Sequence, residues 1–234
     1  MNMKNVAYTE VYNKDRADHE YGLLSEALYI NEQCVCLTER LTLITKNYEW
    51  QPSTNSRHLY SRNEIVDQAG NALYSYFNAN SSSNFCSVIN HRNGIEYVIF
   101  HRDLYGYSVV DLSTMKNFHF IPAESFTVNG KMHGETFIWC NAYYNPLNDI
   151  LAVDGCLWAD LYGVVLVDFT NPMSETLQVD TRDYFKCDSE DFDGIDFIAW
   201  DGTDLVLGAS VNGADLVRVT VTQEEYSSWL KNRA

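Results

Sequence analysis

The sequence predicts an all-β protein built from about four similar units of antiparallel strands. Short apolar runs at Phe137–Cys140, Ile150–Val153 and Val164–Val167 are separated by Asn, Pro and Gly, a pattern typical of consecutive antiparallel strands. The motif Asp-Leu-Tyr-Gly at Asp103–Gly106 returns 57 positions later at Asp160–Gly163. Sixteen Tyr, eleven Phe and five Trp also favour strands, because aromatic side chains suit pleated, half-buried surfaces.

A third copy of the repeat follows the second after 55 positions. Asp204–Gly208 matches Asp149–Val153, and Asp215-Leu216 matches Asp160-Leu161. This period, applied to 234 residues, predicts about four units that bury their faces against their neighbours. The pattern resembles the blades of a β-propeller over roughly residues 84–221, as a likeness of fold without a family-specific motif. A twisted β-sandwich or open solenoid made of the same hairpins is the alternative.

The chain is predicted to be one domain, residues 1–234. Residues 1–80 form an amino-terminal segment with a degenerate unit, and the clear repeats are 84–122, 135–180 and 194–221. A carboxy-terminal helix over 223–232 begins with a capping box formed by Thr222 and Glu225. Because the last unit lacks an outer strand, an amino-terminal strand is the candidate to complete it.

Two finer elements are predicted in the amino-terminal segment. Tyr21, Leu24 and Leu28 lie at helical spacing within Ala17–Ile30, which predicts a short helix capped by Asp15 or Asp18. Leu41–Thr45 then reads as a strand, and Asp67–Asn71 as a hairpin turn between two further strands.

The charge excludes two classes of partner. Sixteen basic residues against thirty-two acidic ones give a net charge of −16 and no basic cluster. Nucleic acid and anionic membranes are therefore not expected to bind, whereas a basic protein suits such a surface. No apolar run has the length of a signal peptide or membrane span, and none of the six Cys forms a C-x-x-C pair, so we expect a cytoplasmic protein. The oligomeric state is left open.

The acidic run Asp188–Asp196 is the one candidate metal site. Its Asp-Phe-Asp-Gly spacing brings Asp191, Asp193 and Asp196 round a tight turn, as calcium requires. However, Trp200 stands where an EF-hand loop has its last ligand, a Glu. We therefore predict a solvated acidic loop, and neither a metal nor a cofactor.

Aromatic side chains near the loops are the candidates for binding. Trp158, with Tyr143 and Tyr144 nearby in the sequence, is a candidate platform for a sugar or a peptide, and His101, which matches Trp158 in the repeat, is placed at the same rim. Core packing is the alternative interpretation, because aromatic residues dominate buried area. By contrast, the recurring Asp103, Asp160 and Asp215 are predicted to hold loops in place.

Two functions follow as hypotheses. The first is a non-enzymatic module that binds a protein partner, since the loops differ in length on one face and no catalytic motif is present. The second is a carbohydrate hydrolase, which needs two carboxyl groups across a pocket. The position of six carboxylates discriminates between them: Glu96, Glu135, Asp149, Asp154, Asp196 and Asp204.

Overall fold

The computed structural model of the chain describes residues 4–54, 56–80, 84–126, 134–158, 160–183, 192–211 and 217–231. Within them, fifteen strands form four antiparallel sheets and are accompanied by two α-helices and a 3₁₀ turn at Thr181–Asp183. The all-β prediction is therefore confirmed. Each sheet is a simple meander, in which strands that are consecutive in the chain are neighbours in the sheet.

The strand bounds are as follows, sheet by sheet. Sheet 1 contains β1 Leu28–Cys36, β2 Leu41–Ser53, β3 Ser56–Asp67 and β4 Ala72–Asn78; sheet 2 contains β5 Cys86–Asn90, β6 Glu96–Phe100, β7 Tyr107–Asp111 and β8 Asn117–Phe120; sheet 3 contains β9 Ile138–Asn145, β10 Ile150–Cys156, β11 Tyr162–Asp168 and β12 Gln178–Asp180; and sheet 4 contains β13 Phe192–Asp201, β14 Asp204–Val211 and β15 Val217–Val221. The helices are α1 Glu10–Glu26 and α2 Gln223–Lys231.

The chain divides into two compact units. The N-terminal unit comprises the described residues within 4–89 and 95–134, and the C-terminal unit comprises the described residues within 90–94 and 135–231. In the N-terminal unit, Leu43 and Ile65 of sheet 1 pack on Val98, Phe100 and Val110 of sheet 2. The predicted single domain stays a prediction.

The core of the C-terminal unit lies between sheets 3 and 4. Ala152, Val164 and Leu166 pack against Ile195 and Leu207, and helix α2 covers this core with the buried ring of Tyr226. The apolar runs predicted as strands thus supply the inner faces, because successive strand residues alternate between core and exterior.

Helix α1 differs from its prediction. It begins at Glu10, after Thr9, whose Oγ1 accepts a hydrogen bond from the backbone N of Tyr12 at 3.3 Å. Neither Asp15 nor Asp18 caps it, Tyr21 is exposed, and Leu28 already belongs to strand β1. The buried side chains that the structure describes in this helix are Tyr12 and Arg16. Neither belongs to the predicted apolar spacing, and Arg16 is polar.

Arg16 anchors α1 to the rest of the N-terminal unit. Its guanidinium donates to the carbonyl oxygens of Arg102 at 2.6 Å and Phe77 at 2.7 Å, and it pairs with Asp103 at 3.1 Å. Tyr12 also donates to the carboxylate of Asp103. A buried cation needs such complete pairing. Asp103 therefore has structural partners, Arg16 and Tyr12, in line with the role that the repeat predicted for it.

In sheets 1, 2 and 3 the third strand in chain order ends in an aspartate that binds the turn after it. Asp67, Asp111 and Asp168 are the last residues of β3, β7 and β11. Each carboxylate accepts backbone N–H groups of the turn that follows: Asp67 from Ala69 and Asn71, Asp111 from Ser113 and Thr114, and Asp168 from Thr170. The Asp67–Asn71 turn was predicted, but its relation to the other two was not.

The carboxy-terminal capping box is confirmed. Glu225 accepts from the backbone N of Thr222 at 2.8 Å, and Thr222 Oγ1 accepts from the backbone N of Glu225 at 3.3 Å. Among the described residues, sheet 4 has three strands. None of the described amino-terminal strands completes it, since β1 to β4 form sheet 1 and Asn5 bridges to Pro122 within the N-terminal unit.

Candidate functional site

The four predicted binding residues lie in different environments. Trp158, between β10 and β11, is 57% exposed, whereas His101 is buried in the N-terminal unit with its ring 5.2 Å from that of Phe85. Tyr143 and Tyr144 are neighbours on β9, so they point to opposite faces of sheet 3. The structure therefore does not bring these four side chains together on one platform.

Tyr144 points to a buried carboxylate at the β9–β10 turn. Asp149 is 1% exposed, and its Oδ1 accepts from the hydroxyl of Tyr144 at 2.7 Å. Nη2 of Arg92 lies 2.5 Å from Oδ2, and Nε2 of His91 lies 3.5 Å from Oδ1. The backbone of Asp149 is left-handed, with φ of 58°. This carboxylate is enclosed by its partners, which makes it a structural group.

Removing Asp149 tests that role. We expect Asp149→Ala to lower the free energy of unfolding by about 3 kcal/mol, since it breaks a buried charge pair and puts Ala in a left-handed conformation. The Arg92 side chain is 53% exposed and returns to water, which keeps the loss at the lower end of the range. Urea unfolding measures the change. Asp168→Ala, which removes one acceptor for Thr170, is the matched control and should cost less; equal losses would contradict the assignment.

A second cluster of polar side chains lies on the other face of β9 and β10. Oδ1 of Asp154 accepts from the backbone N of Phe197 at 2.9 Å, which ties β10 to β13. Tyr143 hydrogen-bonds to the same carboxylate, the charge of Asp196 acts on it, and Tyr162 lies within reach of the same Asp196 charge. We call Tyr143, Asp154, Tyr162 and Asp196 the acidic–aromatic cluster.

Strand register explains why three of these side chains share a face. Cys156 pairs with Tyr162 and Ala152 with Tyr143, so Tyr143, Asp154 and Tyr162 share one face of sheet 3. This is the face that packs against sheet 4, where Asp196 lies on β13. The cluster is thus the polar end of an otherwise apolar interface between two sheets.

Two glycines allow the close approach. A Cβ on Gly155 would lie 1.9 Å from the carbonyl oxygen of Ile138, at the bulge where β10 meets β9. Gly194 has φ of 145°, and its Cβ position faces the carbonyl oxygen of Tyr162 at 3.2 Å. Gly155 lies within β10, beyond the predicted run Ile150–Val153, and only a glycine fits there because the backbones approach too closely for a side chain.

The loop beside the cluster presents apolar surface. Trp158, Leu161 and Tyr162 are 57%, 42% and 51% exposed. Arg182 holds this loop, since its guanidinium pairs with Asp180 at 2.7 Å and with Asp160 at 3.2 Å. Asp160 therefore has a structural partner, as the repeat predicted, whereas Asp215 lies outside the described residues.

Electrostatics distinguishes Asp154 from other carboxylates. Burial raises its pKa, and the neighbouring charge of Asp196 acts in the same direction. Burial, followed by the charge of Asp154, also raises the pKa of Tyr143 to about 12. Asp196 itself is exposed. The cluster thus joins a carboxylate that is costly to ionise with one that is solvated.

The other carboxylates in the set of six have separate partners. Glu96 pairs with Arg40 at 2.9 Å, Asp204 accepts from the backbone N of Gln223 at 2.9 Å, and Glu135 is exposed. Asp154 and Asp196 are the two members of the set close enough for the charge of one to act on the other. That Asp154 shares a face with Tyr143 and Tyr162 could have been found from strand alternation once the hairpin register was known.

The predicted metal candidates are described only in part. Asp191 and the side chain of Asp193 lie outside the described residues, and Asp196 belongs to the acidic–aromatic cluster. Over the part of the chain that the structure describes, no group of three or more His, Cys, Asp or Glu side chains is arranged to hold a metal ion. Neither described helix combines the length and the apolar character needed to cross a bilayer.

Comparison with known proteins gives little further guidance. An uncharacterized protein of Acanthamoeba polyphaga mimivirus, R762, is 37% identical over 49 residues, which is 21% of this chain. The chain spans a fifth of that relative's length by this match, 20%. No family model matches the chain, and no solved structure matches it.

The raised pKa of Asp154 predicts the sign of a pH effect. A folded pKa above the ordinary value of 3.8 means that the fold loses stability as pH rises through the titration of this carboxyl. We expect Asp154→Asn to raise the free energy of unfolding at neutral pH, with the gain disappearing below the ordinary pKa. Denaturant unfolding at several pH values measures this. Asp201→Asn, at an exposed position, is the control, and a pH-independent or negative effect of Asp154→Asn would contradict the assignment.

Proposed function

We propose that the chain is a non-enzymatic binding module made of propeller-like blades, and that it binds a basic protein segment at the acidic–aromatic cluster. Four meanders of three or four antiparallel strands support the blade arrangement, since a blade is a small sheet that buries its faces against its neighbours. The sheets pack in this way within each unit, sheet 1 on sheet 2 and sheet 3 on sheet 4.

The observation that carries the proposal is the combination of acidic and exposed aromatic side chains at one place. Tyr162 is 51% exposed and lies near the carboxylate of Asp196, and Trp158, 57% exposed, belongs to the same β10–β11 connection as Asp160. Cationic side chains are attracted both to aromatic faces and to carboxylates. A Lys- or Arg-rich segment therefore has the chemistry that this surface recognises.

The distribution of charge along the chain also supports binding of a basic partner by the C-terminal unit. Residues 135–234 contain eighteen acidic and five basic side chains, whereas residues 1–134 contain fourteen and eleven. The C-terminal unit thus concentrates the negative potential, which steers a basic partner towards it and speeds association. Nucleic acid and anionic membranes remain unsuitable partners on the same ground.

The cytoplasm is the location that we propose. Five cysteines lie within the described residues, Cys34, Cys36, Cys86, Cys140 and Cys156, and none of these five forms a disulfide. Reduced cysteines are typical of cytosolic proteins.

Binding of an arginine-rich peptide tests the proposed function. We expect measurable affinity by calorimetry at low salt, weakening as salt is added, because exposed charges are screened. Asp196→Asn and Trp158→Ala should each weaken binding about fivefold or more, the loss of roughly 1 kcal/mol per contact. Glu224→Gln removes the same charge elsewhere on this unit and should change affinity less than about twofold. If Asp196→Asn and Glu224→Gln weaken binding equally, the peptide responds only to the net charge of the unit, and the proposed binding site is wrong.

Hydrolysis of a carbohydrate is the second candidate, and the pairing of Asp154 with Asp196 favours it. A carboxyl with a raised pKa suits a general acid, and a solvated carboxylate suits a base or nucleophile. We expect such an enzyme to cleave chromogenic aryl glycosides, and Asp154→Asn and Asp196→Asn each to abolish cleavage, with Asp201→Asn unaffected. Absence of turnover across α- and β-linked substrates would remove this candidate.

A further inference from the structure

Strand β1 is an exposed edge of sheet 1. It pairs with β2 on one side, and among the described residues no strand pairs with its other side. All nine of its residues are exposed. Four of them are large and apolar, and they are 74%, 58%, 45% and 50% exposed: Leu28, Tyr29, Ile30 and Val35. Such an edge offers a row of backbone donors and acceptors together with apolar side chains.

The sequence of β1 is symmetric in polarity about its central residue. Leu28–Ile30 and Cys34–Cys36 are two arms of apolar residues, and between them lie Asn31, Glu32 and Gln33. When two copies of such a strand run antiparallel about Glu32, each apolar arm lies along the other copy's opposite arm. A two-fold interface requires this self-complementarity, because the same patch faces itself.

We propose that β1 is the surface at which two copies of this chain associate, by antiparallel pairing of their β1 strands about a two-fold axis at Glu32. Asn31 of one copy then lies opposite Gln33 of the other. The β-bulge between Tyr29 and Asn31 shifts the outer pairs by one residue but leaves the apolar arms opposite each other.

Charge favours this edge over the edges of sheets 3 and 4 for self-association. Residues 1–134 carry fourteen acidic and eleven basic side chains and are close to neutral, so two copies repel each other least through this part of the chain. On β1 the one charged side chain is Glu32, and Nζ of Lys46 on β2 lies 3.9 Å from its carboxylate. Lys46 offsets part of the repulsion between the two facing Glu32 side chains.

The pairing is expected to be weak and reversible. A nine-residue strand buries less surface than a standard stable interface, which removes about 1,200 to 2,000 Å² from water. We therefore expect dissociation constants in the micromolar range. Like charges opposite each other in a ladder cost about 0.2 to 1 kcal/mol, so Glu32→Gln should tighten the dimer by up to about fivefold.

Sedimentation velocity over a concentration series tests the proposal on the full chain. We expect a monomer–dimer equilibrium for the wild type and a monomer for Val35→Lys, because a charged edge resists pairing. Val217→Lys places the same charge at a 55% exposed valine on the edge strand β15 and should dimerise like the wild type. Circular dichroism confirms that each variant is folded, and Tyr29→Lys replaces Val35→Lys if that variant is not.

Cross-linking tests the register. In a Cys34→Ser, Cys36→Ser background, Glu32→Cys should form an intermolecular disulfide on mild oxidation, since residues directly opposite in antiparallel strands have Cα atoms about 4.5 to 5.5 Å apart. Asn31→Cys should not, because Gln33 lies opposite it. A monomer at all concentrations, a dimer that survives Val35→Lys and Tyr29→Lys, or cross-linking that is equal for the two cysteine variants would overturn the proposal. Peptide binding at the acidic–aromatic cluster is measured separately and does not depend on this outcome.

Discussion

The C-terminal unit depends on one buried carboxylate, that of Asp149. Its left-handed backbone closes the turn between β9 and β10, and its side chain binds Arg92 and the hydroxyl of Tyr144. Its carbonyl oxygen also accepts from the backbone N of Phe169, at the end of β11. A buried charge must have partners, so three separate segments of the chain are fixed at this residue. Turn geometry then sets the register of the whole sheet.

That register decides which side chains remain available for binding. Tyr144 donates a hydrogen bond to Asp149 on one face of sheet 3. Because neighbouring strand residues point to opposite faces, Tyr143 lies on the other face, where it hydrogen-bonds to Asp154. Asp149 and Asp154 thus affect the stability of the fold in opposite directions. Asp149 is satisfied and stabilises the fold, whereas Asp154 is kept partly buried at a cost in stability. A cost of that kind is what a residue kept for binding or catalysis is expected to carry.

The sequence predicted features that depend on local chemistry. The strands at Ile150–Val153 and Val164–Val167, the Asp67–Asn71 turn and the Thr222–Glu225 box all follow from residues close together in the chain. It did not predict strand β1, because its nine exposed residues lack the alternation that burial of one face imposes. The prediction of one platform for Tyr143 and Tyr144 was wrong, because neighbouring residues of a strand point to opposite faces of the sheet.

The same local chemistry explains why sheet 4 differs from the others. In sheets 1, 2 and 3 the third strand ends in an Asp whose carboxylate accepts from the next turn, and the chain then returns as a fourth strand. Strand β15 ends in Val221 instead, and the hydroxyl of the next residue, Thr222, accepts from the backbone N of Glu225 at the start of helix α2. Tyr226 then packs into the core between sheets 3 and 4. A capping residue directly after β15 therefore begins a helix where the other three sheets have a turn closed by a carboxylate.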